Sequence, residues 1–420
     1  MKTFQEAELF FDSRRKLGIK PGLERLDYLL KKTGHPERRI KTIHVAGTNG
    51  KGSTITYMEE VLIANGYTVG TFVSPGLPTI RDHMRINRQT ITEQSFIDIL
   101  HQLLPVIREM DGLDLAPSEY EILMVMTLLY FLEKTDIALI ETCMGGREDV
   151  TNRVEPIVTV ITTIDYDHMG FLGNSLAEIA AHKAGIIKHG TPVVVGDLPK
   201  EASEVVLKKA SKEEASIYFF NTHFQIKDWK VNSSSQQFVF SYQTEIPAEI
   251  TMIGKHQAEN AALALMVLHL LMEKGWSIRQ DAMLKGLKQA KITNRLQILN
   301  NSPGILIDGA HNVASIKKLI ETSKLYWNNR KIYTLFSAFK DKEVDQMTHL
   351  LKQYSNKFVV TTFDHPRALS EQDVAEDIEF LPDYKEALTE LMQQLNPEDV
   401  LLITGSLHFV EEIKGYISRI

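Results

Sequence analysis

Apolar residues along the chain fall into short β-branched runs, separated by longer stretches in which they recur every three or four positions. The runs at 43–46, 68–73, 137–140, 157–164 and 192–195 read as strands, and the stretches 53–64, 95–110, 120–132 and 176–187 read as helices between them. Strands that alternate with helices need crossover connections, so the pattern predicts a mostly parallel sheet flanked by helices. Ahead of it, residues 1–40 read as helices broken at Gly18-Ile-Lys-Pro-Gly22. Residues 217–250 change character: Ile217-Tyr-Phe-Phe220, Phe238-Val-Phe240 and a polar turn at 232–237 predict a small antiparallel addition. A helical stretch at 257–273 follows. A second series, with strands near 305–307, 332–336, 358–362 and 400–404, predicts a Rossmann-like α/β domain at the C-terminal end. The boundary falls close to 296, giving a P-loop-type domain over 1–296 and the second α/β domain over 297–420.

Length agrees with that division, because 420 residues exceed what one hydrophobic core usually holds. The apolar share of 43% and charged share of 24% are those of a soluble globular chain. The longest apolar run, 122–132, is about half the ~20 residues a bilayer demands and contains Thr127 and Tyr130, so it reads as a buried helix rather than a membrane span. A net charge of −7 without a long basic run argues against nucleic acid as a partner. Cys143, the one cysteine, excludes an internal disulfide and a cysteine zinc site. With no apolar core of signal-peptide length near the N-terminus, these features predict a cytoplasmic protein, and a monomer is expected.

The candidate chemistry begins at His44-Val-Ala-Gly47-Thr48-Asn49-Gly50-Lys51-Gly52-Ser53-Thr54, which reads as strand, glycine-rich turn and helix N-terminus. Such a turn aims backbone N–H groups inward, the helix adds its positive end, and Lys51 brings a full charge: the parts of a phosphate cradle. The strict P-loop spacing is not met, since Val45 stands where the first glycine belongs and Gly52 where the hydroxyl belongs, but Ser53 or Thr54 offers a hydroxyl one residue late. Ligands of open α/β sheets lie beyond the carboxyl ends of the strands. The predicted strands end in Ser74-Pro75, in Glu141 and in Asp165-Tyr-Asp167-His168. Each alone reads as a cap or turn; together they offer oxygens and an imidazole suited to Mg²⁺ held jointly with nucleotide phosphate. Ser175-Leu-Ala-Glu178 reads as a capping box, and its helix carries Lys183 on the apolar stripe Leu176, Ala180, Lys183, Ile187. A lysine there either snorkels or is chemically modified, and residue spacing alone favours snorkelling.

From Gly47 to Ser53 the chain resembles the nucleotide loop of folylpolyglutamate and dihydrofolate synthases, members of the Mur-type amide ligases. Ser74-Pro75 is similar to their Ser-Pro-His/Phe turn. Glu141 through Gly145-Gly146-Arg147-Glu-Asp149-Val-Thr151-Asn152 is similar to E-x-G-x-G-G-R-x-D-A-T-N, and Asp167-His168 with Leu172-Gly173 to D-H-x-x-x-L-G. Lys183-Ala-Gly-Ile, Gly254-Lys-His256-Gln257 with Asn260, Arg295-Leu296, Asp308-Gly309-Ala310-His311-Asn312, Asp341-Lys342, Pro366-Arg367-Ala368 and Gly405-Ser406 carry the resemblance to about residue 410. It implies ATP-dependent joining of L-glutamate to a folate, tetrahydrofolate or dihydropteroate, through an acyl phosphate. It also implies catalytic roles for Lys51, Lys183 and His311, with Lys183 carbamylated. ATP contacts fall to residues 47–53, Asn260, Arg295 and Asp308; Mg²⁺ ligands to Ser74, Glu141, His168 and Lys183. Ser118, Tyr120 and Glu121 stand on the folate side, and His311, Asp341 and Ser406 on the glutamate side. Against the family pattern, Gly76 replaces the aromatic or histidine after Ser-Pro, Arg81-Asp82-His83-Met84 replaces R-E-R-I, Cys143 stands at a usual glycine, and Val313 replaces a proline. The first two touch the acceptor pocket. Another Mur-type ligase, or a nucleotide-binding regulatory protein without ligase activity, are the alternative readings.

Overall fold

The computed structural model describes residues 2–18, 20–232 and 234–418; Ile19, within the predicted break at 18–22, and Ser233, within the predicted turn at 232–237, lie outside them. The chain groups into two compact units. One comprises the chain to Asp165, Met169–Thr251 and Gln257–Ala290; the other comprises Tyr166–His168, Met252–His256 and the chain from Lys291 onward. The second unit therefore begins a few residues before 296 and takes in two short upstream segments.

In the first unit β1 (Thr42–Ala46), β2 (Val69–Phe72), β3 (Met84–Ile86), β4 (Gln89–Thr90), β5 (Ile137–Glu141), β6 (Pro156–Ile161), β7 (Val193–Val195) and β8 (Ile217–Phe219) form one sheet in the order β4-β3-β2-β5-β1-β6-β7-β8. From β2 to β8 the pairing is parallel, and β3 and β4 add antiparallel at the edge of β2. That small hairpin is too short to show a period in the sequence; its turn residues Asn87 and Arg88 both have positive φ, the geometry a two-residue hairpin turn demands. Residues 217–219 belong to this parallel sheet, which corrects their assignment to the antiparallel addition. All three are half-buried without alternation, and they cover the outer edge of β7, with Val193 opposite Ile217. The antiparallel sheet is β9 (Gln225–Val231), β10 (Gln236–Tyr242) and β11 (Thr244–Ile250), in the order β11-β10-β9.

Helices α1 (Phe4–Arg15), α2 (Glu24–Lys32), α3 (Lys51–Ala64), α4 (Glu93–Gly112), α5 (Glu119–Phe131), α6 (Met169–Leu172), α7 (Leu176–Lys183), α8 (Lys200–Lys212), α9 (Lys255–Glu273) and α10 (Gln280–Gln289) complete this unit. One core joins α1, α2, α4 and α5 to the sheet through Phe11, Leu26, Phe96, Leu103 and Phe131. Truncating one of these phenylalanines to alanine would cost about 3–5 kcal/mol. Residues Ile122–Leu128 are buried on every side, so the apolar run at 122–132 is indeed a core helix. A second core packs α7 and α8 on β6 and β7 through Ile179, Ala180 and Val206. None of the described helices is long and apolar enough to cross a membrane.

The second unit contains β12 (Gln297–Asn301), β13 (Gly304–Asp308), β14 (Ile332–Phe336), β15 (Lys357–Thr361), β16 (Glu379–Leu381) and β17 (Val400–Thr404), in the order β12-β13-β17-β14-β15-β16. All are parallel except β12, which makes a hairpin with β13. Helices α11 (Val313–Trp327) and α12 (Val344–Tyr354) share one core with the sheet, and α13 (Tyr384–Gln394) and α14 (Leu407–Ile417) share another. Val313 opens α11, a position where the family's proline would also fit, and Asn312 caps it by accepting from Ser315 N–H at 2.9 Å.

Two buried histidines, His44 and His83, and two half-buried ones, His256 and His311, couple this fold to pH. Burial pushes His44 down to about 3 and His83, His256 and His311 to about 4. Unfolding returns each to its ordinary value, so the unfolded chain takes up more protons between about pH 6.5 and 4 and stability falls as pH falls through that window. Glu59, raised by burial to about 7, opposes this with one proton. The melting temperature should thus be flat above about pH 7 and drop on acidification. Comparing His256→Asn with the parent across that range isolates one imidazole, and the variant should show the shallower decline.

Candidate active site

From β1 the connections run to β2 and β5 on one side and to β6, β7 and β8 on the other, so the carboxyl end of β1 is the point where they diverge. Gly47–Gly50 turn there into α3. The loop is clasped by the residues after β6: Thr48 N–H donates to Thr163 O at 2.8 Å, Asn49 N–H to Thr163 Oγ1 at 2.9 Å, and the Thr162 hydroxyl donates to Asn49 O at 2.6 Å. Gly50, the N-cap of α3, has φ +87°, and a Cβ on it would lie 2.5 Å from Asn260 Oδ1, so only glycine fits between loop and α9. No acidic side chain occupies the first turn of α3, whose leading N–H groups form a positive helix end. Lys51 curls over the loop, its Nζ donating to Gly47 O at 2.9 Å and Thr48 O at 3.3 Å and lying 3.8 Å from Glu141 Oε1. The Thr54 hydroxyl is committed to Gly50 O at 3.0 Å, which leaves Ser53 as the candidate phosphate-side hydroxyl.

Strand register gathers the oxygen donors. Val45 pairs with Glu141 and Phe72 with Ile140, so Glu141 and Ser74 end neighbouring strands on the same edge as the loop. A carboxylate and a hydroxyl fit Mg²⁺, whose further ligands would be nucleotide oxygens and water. Among the described residues no cluster of three or more His, Cys, Asp or Glu side chains is placed to hold a metal without such help. The Ser74 hydroxyl lies 3.5 Å from Tyr120 OH, and burial holds the Tyr120 phenol above its ordinary range. Ser118 and Glu121 instead build the start of α5. Glu121 Oε2 accepts from Ser118 N–H at 2.7 Å and from its hydroxyl at 2.8 Å, and Arg25 Nε lies 3.1 Å from Glu121 Oε1 with both side chains buried. That buried pair ties the first turn of α2 to α5.

The long motif after Glu141 is largely a scaffold for the end of α7. Asp149 accepts from Met144 N–H at 2.6 Å and Thr151 N–H at 3.0 Å, and Asn152 Nδ2 donates to Arg147 O at 2.9 Å and Gly185 O at 3.2 Å. Arg147 N–H donates to His182 O at 2.7 Å, and a Cβ at Gly146 would lie 2.9 Å from Lys183 O. Lys183, the last residue of α7, is only 4% exposed. The snorkelling reading is therefore corrected: the helix end is docked onto the loop backbone, and the side chain does not reach solvent.

In the second unit the candidate residues follow three adjacent strands. His311 comes after β13, Ser406 after β17 and Asp341 after β14, with Asp308 and Phe336 both paired to Thr404. Beside His311 is Asp167, which the sequence placed with His168 at the phosphate edge and which groups with this unit. It accepts from Lys342 Nζ at 2.5 Å and Asn312 Nδ2 at 3.2 Å, with His311 Nε2 at 3.8 Å and His168 Nε2 at 3.9 Å. Burial alone would raise the Asp167 carboxyl, but Lys342, His168 and His311 hold it well below the usual carboxylate range. His311 Nδ1 donates to Gly309 O at 2.8 Å, and burial keeps the ring neutral, so Nε2 carries the lone pair. Lys342 is a site residue that sequence reasoning passed over in favour of its neighbour Asp341, whose carboxylate is taken by Arg367 at 2.8 Å. Asp308 is likewise engaged, accepting from Leu296 N–H at 2.7 Å and Ala310 N–H at 2.8 Å, while Arg295 Nη1 donates to Gly309 O at 3.1 Å. Ser406 is buried as the N-cap of α14.

Comparison with known proteins identifies the family. Residues 115–268 match the Mur ligase middle domain and residues 294–407 the Mur ligase, glutamate ligase domain. The chain is 36% identical over 423 residues to the dihydrofolate synthase/folylpolyglutamate synthase of Bacillus subtilis (strain 168), covering 98% of both. It superposes on Mycobacterium tuberculosis folylpolyglutamate synthase complexed with ADP with a TM-score of 0.92 at 26% identity, over 99% of this chain and 98% of that one. For an FPGS–AMPPCP–folate complex the TM-score is 0.89 at 27% identity, over 99% of each chain. With likeness along its whole length and a phosphate-type loop at the sheet's point of divergence, the chain belongs to the dihydrofolate synthase/folylpolyglutamate synthase family of ATP-dependent Mur-type ligases.

Proposed function

We propose that the chain joins L-glutamate to a pteroate- or folate-type acid, with ATP as co-substrate, in the cytoplasm. The observation that carries this is the clasped loop at the end of β1, with Lys51 folded over it and Glu141 and Ser74 on the same edge. The γ-phosphoryl group passes to the acceptor carboxylate and ADP leaves; the glutamate amine then attacks the acyl phosphate, forming the amide and releasing phosphate. Loop amides and Lys51 bind the phosphates, and Asn260 bounds the loop from α9. Ser74 and Glu141 would hold Mg²⁺, which neutralises charge on the transferring phosphoryl group when bound. Tyr120 serves the acceptor. On the glutamate side, neutral His311 offers Nε2 to a proton leaving the amine, and the Asp167–Lys342 pair fixes the surrounding donors. A product assay offering dihydropteroate and tetrahydrofolate in parallel identifies the acceptor; ADP release that ignores both acids would overturn the assignment.

Lys51→Ala should lower kcat by about 10²–10³ while the melting temperature barely moves, because the lysine is held by two loop carbonyls and a 3.8 Å ion pair with Glu141 rather than by core packing. Retained wild-type turnover would remove it from the phosphate site. Glu141→Gln should shift the Mg²⁺ concentration for half-maximal rate upward, with partial recovery at high Mg²⁺. Loss that is equal at every Mg²⁺ concentration would argue against a ligand role.

The buried position of Lys183 also supports carbamylation, since burial disfavours the ammonium and favours the neutral amine that reacts with CO₂. The resulting carboxylate would supply a further oxygen ligand. Protein equilibrated with ¹³C-bicarbonate should give a carbamate NMR signal that disappears in Lys183→Ala, and small carboxylic acids should restore part of that variant's activity. Absence of the signal in fully active enzyme would refute the modification.

A further inference from the structure

The two departures at the acceptor pocket, Gly76 and His83, are one feature. His83 closes the short 3₁₀ turn Ile80–His83 and is 5% exposed. Its ring stacks on Phe72 at the end of β2, with centroids 5.6 Å apart and planes 20° apart, and meets the Tyr120 ring edge-on at 5.5 Å. Nδ1 lies 2.6 Å from Val73 O, and Gly76 N–H donates to Nε2 at 3.2 Å. A carbonyl can only accept and an amide N–H can only donate, so the ring is the neutral tautomer with its proton on Nδ1. A Cβ on residue 76 would lie 2.7 Å from His83 Cγ and 2.8 Å from His83 N. The imidazole thus fills the space where a side chain at 76 would start, and the two cannot coexist. Asp82 locks the same segment, accepting from Thr79 N–H at 3.0 Å, the Thr79 hydroxyl at 2.8 Å and the Thr90 hydroxyl at 2.7 Å.

We propose that His83 is a positioning residue for the acceptor: its imidazole replaces the side chain missing at position 76, pins the turn from Val73 to Gly76 that carries Ser74, and braces the Tyr120 ring. This rests on the reading of Ser74 and Tyr120 as groups at the metal and acceptor side. The consequence is graded: disturbing the pair moves the acceptor's KM through Tyr120 more than the KM for ATP, because the loop amides and Lys51 at the end of β1 are the main hold on ATP and Ser74 acts on it only through a shared metal.

The test is a cycle of wild type, Gly76→Ala, His83→Ala and the double variant, with KM for acceptor and for ATP, kcat and melting temperature read for each. Each single variant should raise the acceptor KM about 10-fold and leave the KM for ATP within about twofold. In the double variant the ring's share of the clash is gone while the backbone nitrogen of residue 83 still lies 2.8 Å from the added methyl, so the combined loss should be smaller than the sum of the two single losses. Additive losses, unchanged acceptor KM in His83→Ala, or equal changes in both KM values would overturn the proposal. Should Gly76→Ala fail to fold, the KM split in His83→Ala decides. A wild type without acceptor-dependent ADP release would instead strike down the functional reading beneath it.

Discussion

The loop after β1 has no regular structure to satisfy its backbone, and much of its polar pairing comes from three residues that follow β6. Thr162 and Thr163 supply hydroxyls and a carbonyl, and Asp165 N–H donates to the Thr48 hydroxyl at 3.0 Å. Buried backbone groups must find partners, so this clasp decides the loop's shape before any ligand arrives. It also explains the threonines: β-branched residues suit the end of a strand, and their hydroxyls reach where no further ladder bond exists. The position of Lys51, the exposure of the α3 amides and the distance to Glu141 all follow from it.

Close approach of backbones is the second constraint. Gly50 beside Asn260, Gly146 beside the last turn of α7 and Gly76 beside His83 each mark a place where a methyl group would collide. Two of these belong to motifs that look like ligand-binding sequences, yet what they do first is let elements dock. The same holds for Ser118 and Glu121, whose polar atoms are spent on a helix cap and a buried ion pair, and for Asp149 and Asn152. A motif can therefore be diagnostic of a family while most of its residues act at one remove from the substrates.

Alternating strands and helices were legible because a fully buried parallel strand such as β17 is a continuous apolar run and a core helix such as α5 is apolar on every side. The phosphate loop was legible because its chemistry is local, all within eight residues. What escaped was non-local. The hairpin of β3 and β4 is too short for a period, and Ile217–Phe219 could be placed only by knowing that β7 had an open edge. Lys342 looked like the lesser half of Asp341-Lys342 until Asp167, 175 positions away, was seen to pair with it. Gly76 and His83 read as separate losses because sequence does not show that they share one space.

The Asp167–Lys342 pair lies within a unit that is not one continuous piece of chain. Its carboxylate comes from the three-residue segment Tyr166–His168, and its ammonium from the loop after β14, both nearly shut off from solvent. During synthesis the carboxylate leaves the ribosome well over a hundred residues before its partner exists. Until then it is an unmatched charge that water must keep solvated. A fragment cut at the apparent boundary would have the reverse fault, a lysine folded into an interior that no longer holds its counter-ion. The charge balance of this unit is thus completed only by the whole chain, and it resists being separated, truncated or exchanged as a module.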